Sequence, residues 1–273
     1  TKLHNVSKLI CFDIKPANFV IKIINETNFD VKMIDLDMDW CHDYYYKLLI
    51  LLLQKTKINK INIMKKYIIE SIGTYFLVLI IGLSGNPIAI GVGLSVLVYM
   101  GAHISGAHYN PAVSLAMIIR GEISVGECLK YILSQCIGAF AAAYSIVLLG
   151  ADALSVVSNT SDTTSFFLAE IIFTFLLVFV ILNVATHPDT KNNQYYGLAI
   201  GLTVAAGAFS VGGISGAVFN PAVSFGPSLL SLINPDLESG VLVSHNFFIY
   251  YLGATVIGSI IASLLFNFLL KNK

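Results

Sequence analysis

The chain contains Ile104-Ser-Gly-Ala-His-Tyr-Asn-Pro-Ala-Val-Ser114 and, later, Ile214-Ser-Gly-Ala-Val-Phe-Asn-Pro-Ala-Val-Ser224. The two stretches agree at nine of eleven positions and start 110 residues apart. Self-similarity at a fixed spacing indicates an internal repeat. Each copy ends in an Asn-Pro pair that begins a short apolar segment, at about 110–119 and 220–232. The sequence therefore predicts two related halves, each with one short helix of this kind.

The residues around the repeat are strongly apolar. Of 273 residues, 56% are hydrophobic and 12% are charged, and the net charge is zero. Soluble domains carry about 25% charged residues, and nucleic-acid-binding proteins need a basic surface, so the chain as a whole fits neither class. Six apolar segments approach the roughly 20 residues that a transmembrane helix needs. They lie at about 67–85, 88–103, 126–150, 165–186, 195–212 and 246–270.

The number of spans determines the topology. Each half holds three spans, an odd number, so the halves have opposite orientations and the two short segments enter from opposite faces of the membrane. The seven basic residues after residue 63 fall on one side of this topology. Because cytoplasmic loops are enriched in Lys and Arg, we expect both termini to be cytoplasmic.

The repeated Asn-Pro pairs have a direct physical meaning. Asn is a preferred N-cap and Pro favours the first position of a helix, so Asn110-Pro111 and Asn220-Pro221 indicate a cap followed by a first helical residue. The two half-helices then begin at the membrane midplane with their positive dipole ends facing each other. Non-helical backbone at that depth must line an aqueous cavity or be buried in protein. The sequence thus predicts a wet passage with a central barrier to cations and hydronium.

Residues 64–273 resemble the aquaporin, or major intrinsic protein, family. The resemblance rests on two Asn-Pro-Ala boxes, the opening from Glu70 to Thr74, and the segment Tyr131-Ile-Leu-Ser-Gln135. It implies an all-α membrane protein with six transmembrane helices and two re-entrant half-helices in an inverted repeat, assembled as a homotetramer with one pore per subunit. It also implies a passive water channel with no enzymatic activity and no cofactor, and the half-helix ends add the exclusion of protons and ions. The charge balance indicates no nucleic-acid partner, and the spacing of the four cysteines indicates no metal site. The pore motif residues are Asn110, Pro111, Ala112, Asn220, Pro221 and Ala222.

Ionisable residues near the repeat need an explanation. Glu70 and Glu170 occupy matching places in spans one and four, and a carboxylate inside a membrane normally faces the bundle interior. A proton relay in a transporter with inverted repeats is an alternative, but the spans contain no second ionisable pair to continue it. The resemblance implies that both glutamates brace the re-entrant loops and that His108 lines the cytoplasmic side of the pore. His103 is a weaker candidate, interpreted as an interior histidine.

The family's selectivity filter falls on small or aliphatic residues in this chain. Water-selective members combine an Arg after the second Asn-Pro-Ala box with a His and an aromatic residue. The matching positions here are Ile90, Ala208, Ala217 and Val223, and the chain's one arginine, Arg120, lies on the predicted cytoplasmic side. The combination resembles plant tonoplast-type members. We therefore expect a wider, apolar filter that passes urea, ammonia, hydrogen peroxide or glycerol as well as water.

Two alternatives stay open for the function. One is a structural or junctional membrane protein of the same fold whose pore is closed or conducts poorly. The other concerns residues 1–63, where Phe12-Asp13-Ile14-Lys15-Pro16-Ala17-Asn18 is similar to a protein-kinase catalytic loop and would give this piece a nucleotide-sensing role. About 60 residues cannot build a kinase fold. We therefore expect 1–63 to be a kinase-like remnant or a cytoplasmic extension that is poorly ordered, and 64–273 to be the channel domain.

Overall fold

The computed structural model describes residues 9–11, 19–25, 28–34, 64–150, 162–234 and 245–271. Contacts divide the chain into two units, Thr1–Ile61 and Asn62–Lys273. The first unit contains a three-stranded antiparallel sheet that no sequence pattern predicted, formed by β1 (Leu9–Cys11), β2 (Phe19–Asn25) and β3 (Asn28–Ile34). The kinase-like motif at residues 12–18 lies outside the described ranges, as do most of the residues 1–63 for which poor order was predicted.

The second unit is built from helices. Six of its described helices are long and apolar enough to cross a membrane, which confirms the predicted number of spans. They are α1 (Met64–Ser84), α2 (Pro87–Ser105), α4 (Val125–Leu148), α5 (Thr163–Ile181), α6 (Tyr196–Ser215) and α8 (His245–Lys271). A π-helical turn, Leu182–Thr186, continues α5, and a 3₁₀ turn follows at Pro188–Thr190. The two half-helices are α3 (Pro111–Arg120) and α7 (Pro221–Ile233).

Both half-helices begin as the Asn-Pro pairs predicted. Asn110 caps α3, and its Oδ1 accepts the backbone N–H of Ala112 at 2.8 Å. Asn220 caps α7 in the same way, with its Oδ1 3.0 Å from the backbone nitrogen of Ala222. Each cap satisfies an N–H group that a helix start would otherwise leave unpaired.

Glycines bring the long helices together in the same manner in both halves. A Cβ on Gly138 of α4 would lie 2.2 Å from the carbonyl oxygen of Ser71 in α1. A Cβ on Gly258 of α8 would lie 2.5 Å from the carbonyl oxygen of Ile171 in α5. Both distances are shorter than van der Waals contact, so only the missing side chain allows these backbones to approach so closely.

The outward faces of the helices are apolar. Large hydrophobic side chains on α4 and α5 are exposed, among them Leu129, Leu133, Ile137, Leu168 and Ile172. A soluble monomer does not expose a belt of this size to water, whereas lipid hydrocarbon matches it. The chain is therefore an integral membrane protein that crosses the bilayer several times.

Candidate functional site

The loop between α2 and α3 is held by one buried glutamate, Glu70 of α1. Its carboxylate accepts hydrogen bonds from Ser105 Oγ at 2.6 Å and from Gln135 Nε2 at 2.9 Å. It also accepts the backbone N–H groups of His108 at 2.9 Å and Tyr109 at 2.7 Å. Hydrogen bonds to a carboxylate are stronger than those between neutral groups, so Glu70 fixes the loop at membrane depth.

Glu170 of α5 holds the loop between α6 and α7 in the same geometry. It accepts Ser215 Oγ at 2.6 Å, the N–H of Val218 at 3.0 Å and the N–H of Phe219 at 2.8 Å. Thr255 occupies the place in α8 that Gln135 has in α4, but its hydroxyl donates to the Tyr251 carbonyl of its own helix at 2.7 Å. The two braces are therefore related by the repeat and differ by one donor.

The two loops adopt an unusual backbone conformation. Within these two loops, four residues other than glycine have φ in the left-handed region: Ala107 (50°), Tyr109 (49°), Ala217 (53°) and Phe219 (49°). This region costs an L-residue roughly 1–2 kcal/mol. The glutamates compensate for this strain because they bind the N–H groups that these turns point inward.

One buried tyrosine also binds the start of each loop. The Tyr131 hydroxyl donates to the Ser105 carbonyl at 2.5 Å, and the Tyr251 hydroxyl donates to the Ser215 carbonyl. Both tyrosine side chains are fully buried. No sequence argument assigned a role to these four residues, although the signal was present: both serines are identical in the repeat, and both tyrosines precede small-residue segments at equivalent places.

The two capping asparagines meet across the repeat. Asn110 Nδ2 donates to the Phe219 carbonyl at 2.8 Å, and Asn220 Nδ2 donates to the Tyr109 carbonyl at 2.9 Å. Each loop thus accepts a hydrogen bond from the cap of the opposite half-helix. An amide nitrogen carries two hydrogens, so each asparagine keeps a second N–H for an oxygen in the space beside it.

That space is a cavity of about 920 Å³ lined by both asparagines. One end, called the basic end below, is lined by Lys66, Glu122 and Lys191, and the other end by Gly85 and Pro87. Lys66 stands at the start of α1 and Gly85 follows its last residue, so the cavity extends along the whole helix, about 30 Å at 1.5 Å per residue. Of the cavity-lining residues that the structure describes, only these three are lysines or acidic residues, and all three lie at the basic end.

The four predicted filter residues line this cavity from four different segments. Ile90 comes from α2, Ala208 from α6, Ala217 from the second loop and Val223 from α7. Ile90 and Val223 are buried, with 8% and 2% of their surface exposed. Their role as the selectivity filter stays a prediction.

The two histidines and the arginine occupy different environments. His108 lines the cavity, with its Nδ1 3.0 Å from Ser114 Oγ and its ring 4.8 Å from the ring centre of Tyr131. His103 is exposed on α2 in this chain, so its interpretation as an interior histidine is wrong. Arg120 ends α3, where its Nη2 lies 3.5 Å from the Thr186 carbonyl oxygen at the basic end.

No cluster of His, Cys, Asp or Glu that could hold a metal ion occurs in the part of the chain that the structure describes.

An inverted pair of half-helices, joined at capping asparagines inside a cavity between six apolar helices, defines a membrane channel. The chain belongs to the major intrinsic protein family, because the family profile Major intrinsic protein matches residues 57–266.

Relatives support the family assignment. The chain is 32% identical over 217 residues to "Glycerol uptake facilitator protein-like 6" of Lactiplantibacillus plantarum, covering 73% of this chain and 95% of the relative. It is 31% identical over 221 residues to nodulin-26 of Glycine max, covering 75% and 77% of the two chains. It is also 31% identical over 228 residues to a "Probable aquaporin NIP-type" of Nicotiana alata, covering 78% and 80%. Neither of these plant relatives is named as a tonoplast-type member, so the resemblance of the filter positions to that group stays a prediction.

A solved structure shares the fold. The aquaglyceroporin from Plasmodium falciparum matches with a TM-score of 0.61 and 24% sequence identity, covering 75% of this chain and 95% of the other. At this level of identity the likeness concerns the fold alone. It supports the predicted fold class, an all-α membrane protein with the aquaporin fold.

Proposed function

We propose that this protein is a passive channel for water and small neutral solutes, such as urea, ammonia, hydrogen peroxide and glycerol, and that it excludes protons and ions. The observation that carries the proposal is the meeting of Asn110 and Asn220 beside a cavity that extends along α1. The name of a glycerol facilitator-like relative points in the same direction.

The exclusion of ions follows from the half-helices. Each N-terminal end carries the equivalent of about half a positive charge, and both ends, capped by Asn110 and Asn220, lie next to the cavity. A cation or hydronium at this point is repelled, whereas a neutral oxygen accepts hydrogen bonds from the two amides. A water molecule held in this way is turned so that it does not pass a proton to its neighbours.

The passage of solutes larger than water follows from the filter positions. Ile90, Ala208, Ala217 and Val223 offer no charge and no ring, so the passage beside them is not narrowed by an arginine or a histidine. Apolar walls of this kind admit compact neutral molecules whose polar groups still reach backbone carbonyls of the two loops.

In this proposal the basic end faces the cytoplasm, because lysines and arginines are enriched there. Lys66 and Lys191 line this end, which in the predicted topology is the side of both termini, so we expect both termini to be cytoplasmic. The cavity lies between helices of a single chain, which supports one pore per subunit. The homotetramer is proposed from the family resemblance.

Reconstitution into lipid vesicles tests the proposal. Stopped-flow light scattering after an osmotic step should show water permeability well above that of protein-free vesicles, and gradients of urea and glycerol should produce swelling. A dye sensitive to pH inside the vesicles should report no added proton flux. The variant Ala208→Trp, which fills the cavity, should abolish the added permeability, while Ala206→Trp, on the exposed face of the same helix, should not.

Each outcome of this experiment has a clear meaning. Water permeability equal to that of the lipid background would overturn the channel and favour a structural or junctional protein with a closed pore. Water permeability without passage of any of the solutes would overturn the wide filter alone.

A further inference from the structure

Tyr99 of α2 makes two hydrogen bonds to a segment almost 100 residues away. Its hydroxyl donates to the Gln194 carbonyl at 2.9 Å and accepts the backbone N–H of Leu198 at 3.3 Å. The first partner precedes α6 and the second lies in its first turn. One hydroxyl therefore joins the start of α6 to a neighbouring helix.

The start of α6 has no cap of its own. Tyr195 stands at the N-cap position, and its side chain makes no capping hydrogen bond. The first N–H groups of a helix have no partner inside the helix, and an N-cap side chain usually serves the second or third of them. Leu198 is the third residue of α6, so the Tyr99 hydroxyl takes over the role of the missing cap.

The ring of Tyr99 packs closely against the first turn of α6. A Cβ on Gly197 would lie 2.8 Å from Cζ of the ring, so glycine leaves the space that the ring occupies. The ring also meets Tyr196 edge to face, with 5.2 Å between the ring centres. The cap is therefore a specific contact between two helices.

The segment before this cap forms part of the cavity wall. Residues 190–193, called the rim segment, line the basic end. On one side this segment is tied to the end of the α5 span, where Thr190 Oγ1 donates to the Asn183 carbonyl and Asn193 Nδ2 to the Val184 carbonyl, both at 2.6 Å. On the other side, the next residue is Gln194, whose carbonyl Tyr99 binds.

We propose that Tyr99 positions the rim segment and so keeps the basic end of the passage open. This inference rests on the channel function proposed above. Without the hydroxyl, Gln194 and Leu198 lose their partner, and the rim segment gains freedom to move across the opening that Lys191 and Asn192 line. The filter residues lie elsewhere in the cavity, so the effect falls on all solutes alike.

The variant Tyr99→Phe, in the full chain in lipid vesicles, tests this role because it keeps the ring and removes the hydroxyl. Hydrogen exchange measured by mass spectrometry should rise over residues 190–198 by roughly two- to tenfold, the factor expected for one lost hydrogen bond, with no rise in α2 or α7. Water permeability should fall at least about twofold, while the ratio of urea to water permeability stays constant. Tyr144→Phe, an exposed tyrosine on α4, is the matched control and should change neither quantity.

A second variant tests the same contact from the side of α6 and so separates its loss from a general failure to fold. Gly197→Ala keeps the hydroxyl but displaces the ring, and it should reproduce both effects. Unchanged exchange at 190–198, unchanged permeability, or a rise in exchange spread evenly over α2 and α6 would each overturn the inference. If the unmodified chain conducts no water, the proposed channel fails, and the exchange measurement still decides separately whether Tyr99 holds the segment.

Discussion

Gly91 of α2 and Gly201 of α6 approach so closely that neither position has room for a side chain. A Cβ on Gly91 would lie 2.6 Å from the Gly201 carbonyl oxygen, and a Cβ on Gly201 would lie 2.1 Å from the Gly91 carbonyl oxygen. The two helices also supply Ile90 and Ala208 to the cavity wall. This contact between two backbones therefore sets the distance between two sides of the passage.

Adding one methyl group at this contact should destabilise the protein. Gly201→Ala forces the helices apart, and overpacking of this kind costs about 1–3 kcal/mol. Thermal unfolding in detergent, followed by circular dichroism, should show a lower midpoint. Gly126→Ala is the control, because apart from its chain neighbours and its own helix backbone no atom lies within 4 Å of a Cβ at that position. Equal midpoints for both variants would contradict the role of the contact.

The bracing glutamates should matter for stability as well as for transport. In the unmodified chain the Glu170 carboxylate accepts the N–H of Phe219. Glu170→Gln places an amide N–H against such a donor, and one unsatisfied buried group costs about 1–3 kcal/mol. We expect Glu70→Gln and Glu170→Gln to lower both the unfolding midpoint and the water permeability.

Glu122→Gln, whose side chain is 50% exposed, is the matched control for stability and should keep the unfolding midpoint of the unmodified chain. The same series separates the brace from a proton relay. Loss of transport driven by a pH gradient, with an unchanged unfolding midpoint, would favour the relay.

The capping amides should be required for the exclusion of protons. Asn220→Asp removes the donor to the Tyr109 carbonyl and adds a negative charge beside two positive helix ends. At an effective dielectric constant near 20, one charge 4 Å away changes the energy of a cation by about 4 kcal/mol, and about 1.4 kcal/mol already gives a factor of ten in rate. Proton flux into vesicles should therefore rise by more than about tenfold.

Asn86→Asp provides the control for that variant. Asn86 is also the N-cap of a helix that begins with proline, but it lies exposed at the start of α2. Asp is as good an N-cap as Asn, so neither stability nor proton flux should change. A similar proton flux in both variants would contradict a central barrier.

An arginine introduced after the second Asn-Pro-Ala box should narrow the passage. Val223→Arg places a long, charged side chain at one of the four predicted filter positions, and should reduce urea and glycerol permeability more than water permeability. A change of 1–3 kcal/mol at one contact corresponds to roughly tenfold or more. Val223→Leu adds volume without charge, so a comparison of the two variants separates width from electrostatics. Equal losses for water and solutes in Val223→Arg would mean that position 223 does not select between them.

The N-cap of α5 should make stability depend on pH. Asp162 accepts Ser165 Oγ at 2.5 Å and the N–H of Thr164 at 2.9 Å, and these hydrogen bonds lower the pKa of Asp162 below its usual value of 3.8. A lowered pKa in the folded state means that ionised Asp162 stabilises the fold above that usual value, and that this contribution is lost as the pH falls through the lowered pKa.

Asp162→Asn keeps an N-cap that does not titrate. Unfolding midpoints measured from neutral pH down to about pH 2 should therefore fall less steeply in the variant than in the unmodified chain. Parallel curves would contradict a role for the ionised cap.

The sequence was sufficient for the spans, the caps and the half-helices, which depend on local pattern. Helix length and hydropathy predicted six spans, and the structure places helices at all of them. The Asn-Pro pairs predicted the caps and first residues of α3 and α7, because capping involves only a side chain and the next two or three N–H groups. The count of three spans per half predicted that the two half-helices oppose each other.

The loop conformations gave no such signal. Left-handed backbone is usually marked by glycine, yet Ala107, Tyr109, Ala217 and Phe219 adopt it here. Their conformation depends on Glu70 and Glu170, which lie 35 or more residues away along the chain. The N-terminal sheet was not predicted for a different reason. Its strands lie within residues 1–63, which were interpreted from the sequence only through the kinase-like motif.

The sequence by itself thus determined the class of protein, the spans, the half-helices and the absence of a second arginine for the filter. Only the tertiary structure decided which donors meet each glutamate, how closely Gly91 and Gly201 approach, and that Tyr99 caps a helix to which it does not belong. The physical reason is range. Capping and hydropathy act within a few residues, whereas these contacts join groups up to 110 positions apart and exist only once the helices have packed.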